Sequence, residues 1–193
     1  LDDAFQHRKV KAGFNVLLTT FSNPFFNDIV LPTGDLREPQ SGYKRANIIV
    51  VTKCPLDISN AKKDAFLKRI NPTEKQRVFF STISYADKVI SKTSEIDLNC
   101  LTDFTLVTGI ANASPLVKFL QSKDLKFEHL NFKDHHEFTS DDISKLESCK
   151  TILTTEKDFM RLNQYMSLED KLFYLPITVK ILENEKFDSL VKD

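Results

Sequence analysis

Two adjacent carboxylates, Asp2 and Asp3, belong to the segment Asp-Asp-Ala-Phe-Gln-His at residues 2–7. Paired acids just past a strand end are one way in which nucleotide-hydrolysing folds hold Mg²⁺. This hard ion prefers oxygen ligands and keeps several of its waters, so one or two carboxylates near the phosphates suffice. A solvated tail would carry the same residues. The pair therefore indicates a metal site only if other groups join it.

The loop Leu31-Pro-Thr-Gly-Asp-Leu-Arg-Glu-Pro39 is the second candidate. Gly34 and the two flanking prolines predict a fixed loop, and a rigid loop can aim the guanidinium of Arg37 at a phosphate. Glu38 would then join the outer shell of the metal. In the alternative, Arg37 and Glu38 simply face water.

A strand that ends at Thr52-Lys53 is the third candidate, because ligands of open α/β sheets gather at the carboxyl ends of strands. These two residues could contact a nucleotide, although a purely structural strand end fits them as well. The turn Thr108-Gly109-Ile110-Ala111-Asn112 and the cluster Thr154–Asp158 also follow strands, and each is also compatible with an ordinary turn or a capped helix start.

Tandem histidines, His135 and His136, follow Asp134. An imidazole beside a carboxylate suggests an acid/base residue or a metal ligand. Neighbouring side chains on an extended segment point in opposite directions, so the two are not expected to serve one ion. An exposed loop before a helix is the competing interpretation.

Alternating strands and helices must position these groups. Apolar β-branched runs predict six strands, at 15–21, 46–52, 78–81, 104–108, 126–132 and 151–155. Apolar spacings of three and four predict three helices, at 61–70, 114–123 and 139–146. Together they predict α/β layers with largely parallel strands. Tyr85–Thr102 is expected to be an extended connector, with Phe173–Leu182 running back antiparallel beside it.

Composition favours a folded protein of a reducing compartment. Of the 193 residues, 41% are hydrophobic, and 27 Lys and Arg balance 27 Asp and Glu, which argues against general nucleic-acid binding. Three cysteines without a CxxC pair fit a cytosolic chain. No apolar run approaches the roughly 18 residues that span a bilayer. Because the chain begins with Leu1 inside a motif, we expect it to be truncated.

In order, these motifs closely resemble the lipid A 4′-kinase family, from Asp2 to about Leu162. Six segments carry the resemblance: Asp-Asp-x-x-Gln-His, Leu-Pro-x-Gly-x-Leu-Arg-Glu-Pro, Lys-Arg-Ala-x-x-Ile-Val-Val-Thr-Lys-Cys-Pro, Thr-Gly-Ile-Ala-Asn, Phe-x-Asp-His-His-x-Phe-Thr and Thr-Thr-Glu-Lys-Asp. Ala4 and Ala113 depart from the glycine and proline that are usual there, which puts only local turn shape in doubt.

The resemblance implies a membrane-associated, cytoplasmic enzyme that transfers the γ-phosphate of ATP to the 4′-hydroxyl of a tetraacyldisaccharide 1-phosphate at the inner membrane. It implies Mg²⁺ bound by Asp2 and Asp3, an active-site loop with Arg37 and Glu38, and His135 assisting the catalytic base.

The resemblance also implies a three-layer P-loop NTPase-type lobe, partial here, and a smaller α/β lobe joined to it by a two-stranded linker. The boundaries expected are 1–86 for the kinase lobe, 87–102 for the linker, 103–172 for the smaller lobe and 173–193 for the return strand. The segment Pro24–Leu31, with five large apolar residues, either rests on the membrane or packs as core.

One motif of the family is missing. The sequence contains no G-x-x-x-x-G-K-[ST] string, so we expect the natural protein to be a kinase and these residues alone to be inactive. Two other hypotheses stay open. Asp134-His135-His136 could belong to a metal-dependent DHH phosphoesterase, or the chain could be a non-catalytic lobe that binds lipid or protein.

Overall fold

A computed structural model describes residues 1, 3–7, 9 and 12–192 of the chain. The chain forms two compact units. The first comprises Leu1–Ser84 and Val179–Asp193, and the second comprises Tyr85–Thr178. Both are α/β with parallel strands, as the sequence predicts. Within the described residues, no helix has the length and apolar character needed to cross a membrane.

Four strands form the sheet of the first unit, in the order β1-β2-β3-β10. Their bounds are β1 Val16–Thr20, β2 Ile48–Cys54, β3 Arg77–Tyr85 and β10 Ile177–Ile181, of which Val179 onward belongs to this unit. The first three strands are parallel. Ile48–Val51 of β2 are all buried, because a central parallel strand is covered on both faces.

The helices of the first unit are α1, Asn60–Ile70, and α5, Asn184–Lys192. Ser59 caps α1 by accepting the N–H of Lys62, and Asn71 ends it in the left-handed conformation at φ 50°. One face of the sheet packs on α1 through Ile49 and Phe80. On the other face, Phe187 of α5 packs against Phe79.

Strand β1 lies at one edge of this sheet. On the face opposite α1, Val16 and Leu18 are 40% and 65% exposed.

Six strands form the sheet of the second unit, in the order β5-β4-β9-β8-β6-β7. The strands are β4 Lys88–Ile90, β5 Glu95–Asp97, β6 Phe104–Thr108, β7 Phe127–Asn131, β8 Ile152–Thr154 and β9 Leu172–Tyr174. The helices are α2 Ser114–Ser122, α3 Ser140–Glu147 and α4 Glu156–Leu162. Strands β6 to β9 pair in parallel, whereas β4 pairs antiparallel with β5 and β9.

All six predicted strands and all three predicted helices are present, with ends shifted by a few residues. The segment Tyr85–Thr102, predicted to be an extended connector, instead contains the two short strands β4 and β5. Residues 88–97 form a hairpin that closes where Ser91 Oγ accepts the N–H groups of Thr93 and Ser94. Ile90 pairs antiparallel with Tyr174, whereas β10, which forms the rest of the predicted Phe173–Leu182 return segment, pairs with β3 in the sheet of the first unit. Because of the pairing with Tyr174, residues 87–102, predicted to link two lobes, lie within the second unit.

Candidate functional site

In the first unit, two predicted motifs meet through an ion pair. Arg37 Nη1 donates to Asp3 Oδ2 over 2.8 Å, although 34 positions separate the residues. Both side chains remain largely exposed, at 58% and 72%. The contact places a cation and a carboxylate side by side at a solvent-exposed position. Asp2, the other predicted metal ligand, lies outside the described residues.

The loop that carries Arg37 is held by its own backbone and by Asp28. Asp28 Oδ1 accepts the N–H groups of Ile29 and Asp35. The Leu31 N–H donates to Leu36 O, and the Leu36 N–H donates to Ile29 O. A Cβ on Gly34 would lie 2.3 Å from Asp28 Oδ1, so only glycine fits there. This local network explains why the predicted loop is fixed.

Glu38, predicted to join the outer shell of the metal ion, pairs with Arg45. Its Oε1 and Oε2 accept from Arg45 Nη2 and Nη1 at 2.8 and 2.9 Å. Its carboxyl group also lies against Gly42, where an added Cβ would come within 2.7 Å of Glu38 Cδ. Across the described residues, there is no group of three or more His, Cys, Asp or Glu side chains that could hold a metal ion. For Mg²⁺, the described part of the site therefore offers the accessible carboxylate of Asp3.

The segment Pro24–Leu31 divides into two parts. Phe25 and Phe26 pack against the core beside Tyr43 and Phe66. Ile29, Val30 and Leu31 instead are 53%, 39% and 56% exposed on the loop next to Arg37. We call these three residues the apolar tip.

Thr52 and Lys53 lie at the carboxyl end of β2, as predicted. Thr52 Oγ1 donates to Thr19 O over 3.2 Å, and Lys53 is exposed at φ 57° where the pairing with β3 shifts register. Six described non-glycine residues have positive φ, among them the predicted site residues Asp3, Lys53 and His135. Lys53 is the one of these six that is not Asp, Asn or His, the types enriched at positive φ, and strained backbone of this kind is concentrated at functional sites.

In the second unit, the two histidines have separate environments. His135 has a 79% exposed side chain, and its Nε2 lies 3.8 Å from Asp134 Oδ2. Asp134 accepts a hydrogen bond from Lys157 Nζ at 2.8 Å, and this contact holds the pKa of Asp134 below its usual value. His135 is thus presented to solvent by a loop that a salt bridge anchors.

His136 is half-buried and packs against aromatic side chains of this unit. Its ring stacks on Phe132 and meets Phe138 edge to face, with centroids 4.6 and 5.4 Å apart. Its Nε2 lies 2.9 Å from Asp142 Oδ2, which also accepts from the backbone and hydroxyl of Thr139 in a capping box. The Thr139 N–H, followed by His136, lowers the pKa of Asp142 to about 2.

Asp158, which sequence reasoning did not single out within its motif, connects two of the motifs in this unit. It is fully buried, and its Oδ2 accepts the Gly109 N–H and the Thr155 hydroxyl, each at 2.8 Å. Its Oδ1 faces Arg161 Nη1 at 3.4 Å. A Cβ on Gly109 would lie 3.0 Å from this carboxylate, so the glycine permits the contact. The Thr-Gly-Ile-Ala-Asn and Thr-Thr-Glu-Lys-Asp motifs thus hold strand ends together.

Thr108, the last residue of β6, contacts side chains of the neighbouring strand β7. Its hydroxyl lies 2.8 Å from His129 Nε2 and donates to Asn131 Oδ1 at 3.0 Å. Burial lowers the pKa of His129. His129 and Asn131 line an open groove of about 490 Å³ with the loop before α2.

Comparison with known proteins identifies what this chain resembles. A sequence model of the family described as Tetraacyldisaccharide-1-P 4′-kinase matches residues 1–193. A tetraacyldisaccharide 4′-kinase of Flavobacterium psychrophilum is 46% identical over 99% of this chain and 57% of its own length. One from Flavobacterium johnsoniae is 38% identical over 96% of this chain and 55% of its own length.

A solved structure is also similar. The crystal structure of LpxK from Aquifex aeolicus in complex with ATP superposes with a TM-score of 0.68 at 26% identity. The match covers 100% of this chain and 56% of the Aquifex aeolicus protein. The chain therefore spans a little over half the length of the relatives that it matches.

Proposed function

Because the chain belongs to the tetraacyldisaccharide 4′-kinase family, we propose that the whole protein transfers the γ-phosphate of ATP to the 4′-hydroxyl of a tetraacyldisaccharide 1-phosphate. This is a step of lipid A synthesis. Two kinds of observation support the proposal: the names of the relatives, and the ATP in the similar Aquifex aeolicus structure. The observation in this chain that carries it is the 2.8 Å contact between Arg37 and Asp3.

Phosphoryl transfer depends mainly on positioning and charge neutralisation, and this pair supplies groups for both. The carboxylate of Asp3 is of the donor type that Mg²⁺ prefers, and we assign the ion to Asp3 and Asp2. When bound, Mg²⁺ would neutralise charge on the phosphate oxygens. A guanidinium has five N–H donors, so Arg37 can hold Asp3 and a phosphate oxygen together.

We assign Thr52 and Lys53 to nucleotide binding and place the first unit in the P-loop class. Both residues lie at the carboxyl end of a parallel strand, where α/β sheets bind their ligands. The ammonium of Lys53 is exposed and can approach a triphosphate. Lys53→Ala should then raise the KM for ATP more than it lowers kcat.

His135 is assigned to support the base that removes the proton of the sugar hydroxyl. An exposed imidazole on an anchored loop can accept or relay a proton. The phosphoesterase alternative needs carboxylates and histidines gathered around metal ions. In the described part of the chain, Asp134 instead pairs with Lys157, and His136 pairs with Asp142.

The test is steady-state kinetics of the full-length protein with ATP and tetraacyldisaccharide 1-phosphate. Asp3→Asn and Arg37→Gln should each lower kcat about a hundredfold, the scale for removing one stabilising contact to the reacting group. Asp64→Asn and Lys62→Gln remove charges from exposed positions of α1 and serve as controls. Near-normal turnover in both site variants would overturn the assignment.

A second pair of variants separates the two histidines. His135→Ala should lower kcat about a hundredfold with an unchanged KM for ATP, since general-base support contributes at least that much. His136→Ala should instead lower thermal stability and leave kcat of the folded enzyme close to wild type. The reverse order of the two kcat values would contradict the role of His135.

We also propose that the protein rests on the cytoplasmic face of the inner membrane, where its lipid substrate lies, through the apolar tip. Ile29 and Leu31 are more than half exposed beside Arg37, and apolar side chains at a rigid loop can enter the interfacial region. Ile29→Ser with Leu31→Ser should reduce sedimentation of the full-length protein with anionic liposomes. Leu56→Ser, which removes an apolar residue that is 70% exposed elsewhere in the unit, should not. Equal sedimentation of both folded variants would refute membrane contact by the tip.

A further inference from the structure

Arg45 contacts both segments that carry the predicted phosphoryl-transfer residues of the first unit. Its Nη1 and Nη2 donate to Glu38 Oε2 and Oε1 at 2.9 and 2.8 Å, a bidentate pair. Nη2 also donates to the backbone oxygen of Phe5 at 2.7 Å. The guanidinium carbon lies 4.6 Å from the centroid of the Phe5 ring. One side chain thus joins the segment after Asp3 to the segment after Arg37.

The Arg45–Glu38 pair is less exposed to solvent than the Arg37–Asp3 pair. The side chains of Arg45 and Glu38 are 37% and 16% exposed, against 58% and 72% for Arg37 and Asp3. A half-buried bidentate pair is screened less by water than a surface pair, and its planar geometry fixes direction as well as distance. The Arg45–Glu38 contact is therefore the more rigid of the two.

Gly42 shows that the protein backbone is shaped around this contact. The short 3-10 helical turn Gln40–Arg45 brings Gly42 against the Glu38 carboxyl group, and a Cβ there would lie within 2.9 Å of both carboxylate oxygens. Any other residue would push Glu38 away from Arg45. Glu38 is consequently held by the turn on one side and by the guanidinium on the other.

We propose that Arg45 is a positioning residue for phosphoryl transfer, and that Glu38 acts through Arg45. By holding Glu38 and Phe5, Arg45 keeps Arg37 and Asp3 within 2.8 Å of each other. Lysine cannot replace it, because an ammonium cannot pair bidentately, donate to Phe5 and stack on its ring together. The proposal rests on the proposed function, since the groups it positions are those assigned to the transfer.

The test is a double-mutant cycle in the full-length protein, with kcat and the KM for ATP as readouts. Arg45→Gln should lower kcat about a hundredfold, because small misplacements of reacting groups cost that much, and should leave the KM for ATP nearly unchanged. Arg45→Lys should be impaired similarly. Glu38→Gln with Arg45→Gln should lose no more than Arg45→Gln alone, because the two residues act as one unit. Lys44→Gln, an exposed neighbour in the same turn, is the control and should stay within about twofold.

Hydrogen exchange on the same variants separates this proposal from the proposed function. Arg45→Gln and Arg45→Lys should speed amide exchange in residues 3–7 and 31–38 together, whereas Glu38→Gln should affect mainly 31–38. If the fold losses in kcat of Glu38→Gln and Arg45→Gln multiply in the double variant, Glu38 acts independently of Arg45, and the proposal is wrong. Unchanged exchange at 3–7 would also overturn it. A folded wild-type protein without 4′-kinase activity that still shows the exchange pattern would sink the proposed function and leave the positioning contact standing.

Discussion

Replacing Asp158 tests whether the two motifs of the second unit are structural. Its carboxylate accepts the buried Gly109 N–H and the Thr155 hydroxyl at 2.8 Å each and faces Arg161. Hydrogen bonds to a charged group contribute about 1.5–3 kcal/mol each. Asp158→Ala removes both short ones and leaves a buried N–H without its acceptor. We expect the free energy of unfolding to fall by roughly 3–5 kcal/mol.

Asp158→Asn is expected to be milder. Its carbonyl oxygen can take the place of Oδ2 and accept from both donors, but its NH₂ group would face Arg161 Nη1. We expect a loss of about 1–2 kcal/mol. The control is Asp170→Asn, at an exposed position of the same unit, which should change stability by less than about 0.5 kcal/mol.

Urea unfolding followed by far-ultraviolet circular dichroism measures these changes, since the chain has no tryptophan. For a unit of this size, the Ala variant should also lower Tm by roughly 10 °C or more. Hydrogen exchange at the Gly109 amide localises the effect. A loss below about 1 kcal/mol in Asp158→Ala, or an unchanged Gly109 amide, would refute the structural role.

Three further predictions concern single residues. Gly34→Ala should disorder the Arg37 loop, because a Cβ would meet Asp28 Oδ1 at 2.3 Å; proteolysis of the loop and loss of kinase activity in the full-length protein would report it. The pKa of Asp142 is about 2 in the fold against an ordinary 3.8, so its contribution to stability should be complete above about pH 4 and lost as pH falls through about 2. Urea titrations of wild type and Asp142→Asn should therefore converge at low pH, and a constant difference would contradict this. Lys53→Gly should raise the free energy of unfolding by up to about 1 kcal/mol, because it relieves the positive φ, while ATP binding weakens; a less stable variant would argue against strain.

The sequence predicts the elements whose patterns are local. The run Ile48–Val51 is apolar because a central parallel strand is buried on both faces, and α2 shows its apolar spacing because Leu116 and Leu120 face the core. The hairpin β4–β5 was missed because each strand has only three residues, too few to establish a period of two.

Within the candidate sites, the types of residues were predictable and their partners were not. Asp3 and Arg37 meet across 34 positions, and Gly109 and Asp158 across 49, so only the tertiary fold brings them together. A signal for Asp158 does exist in the sequence. It shares the buried face of α4 with Phe159 and Leu162, and a carboxylate on such a face needs donors. Arg45 belongs to the Lys-Arg-Ala segment of the resemblance, but no local pattern indicates its contacts with Glu38 and Phe5.

The edge strand β1 has a consequence for handling these 193 residues in solution. Its outer backbone N–H and C=O groups lie at the margin of the sheet, and Val16 and Leu18 expose apolar surface on one face of the same strand. Such an edge is a template for intermolecular strand pairing. At high concentration the chain should therefore self-associate through β1. Leu18→Lys should keep it monomeric in sedimentation velocity, because a charge on an edge strand opposes the pairing of two copies.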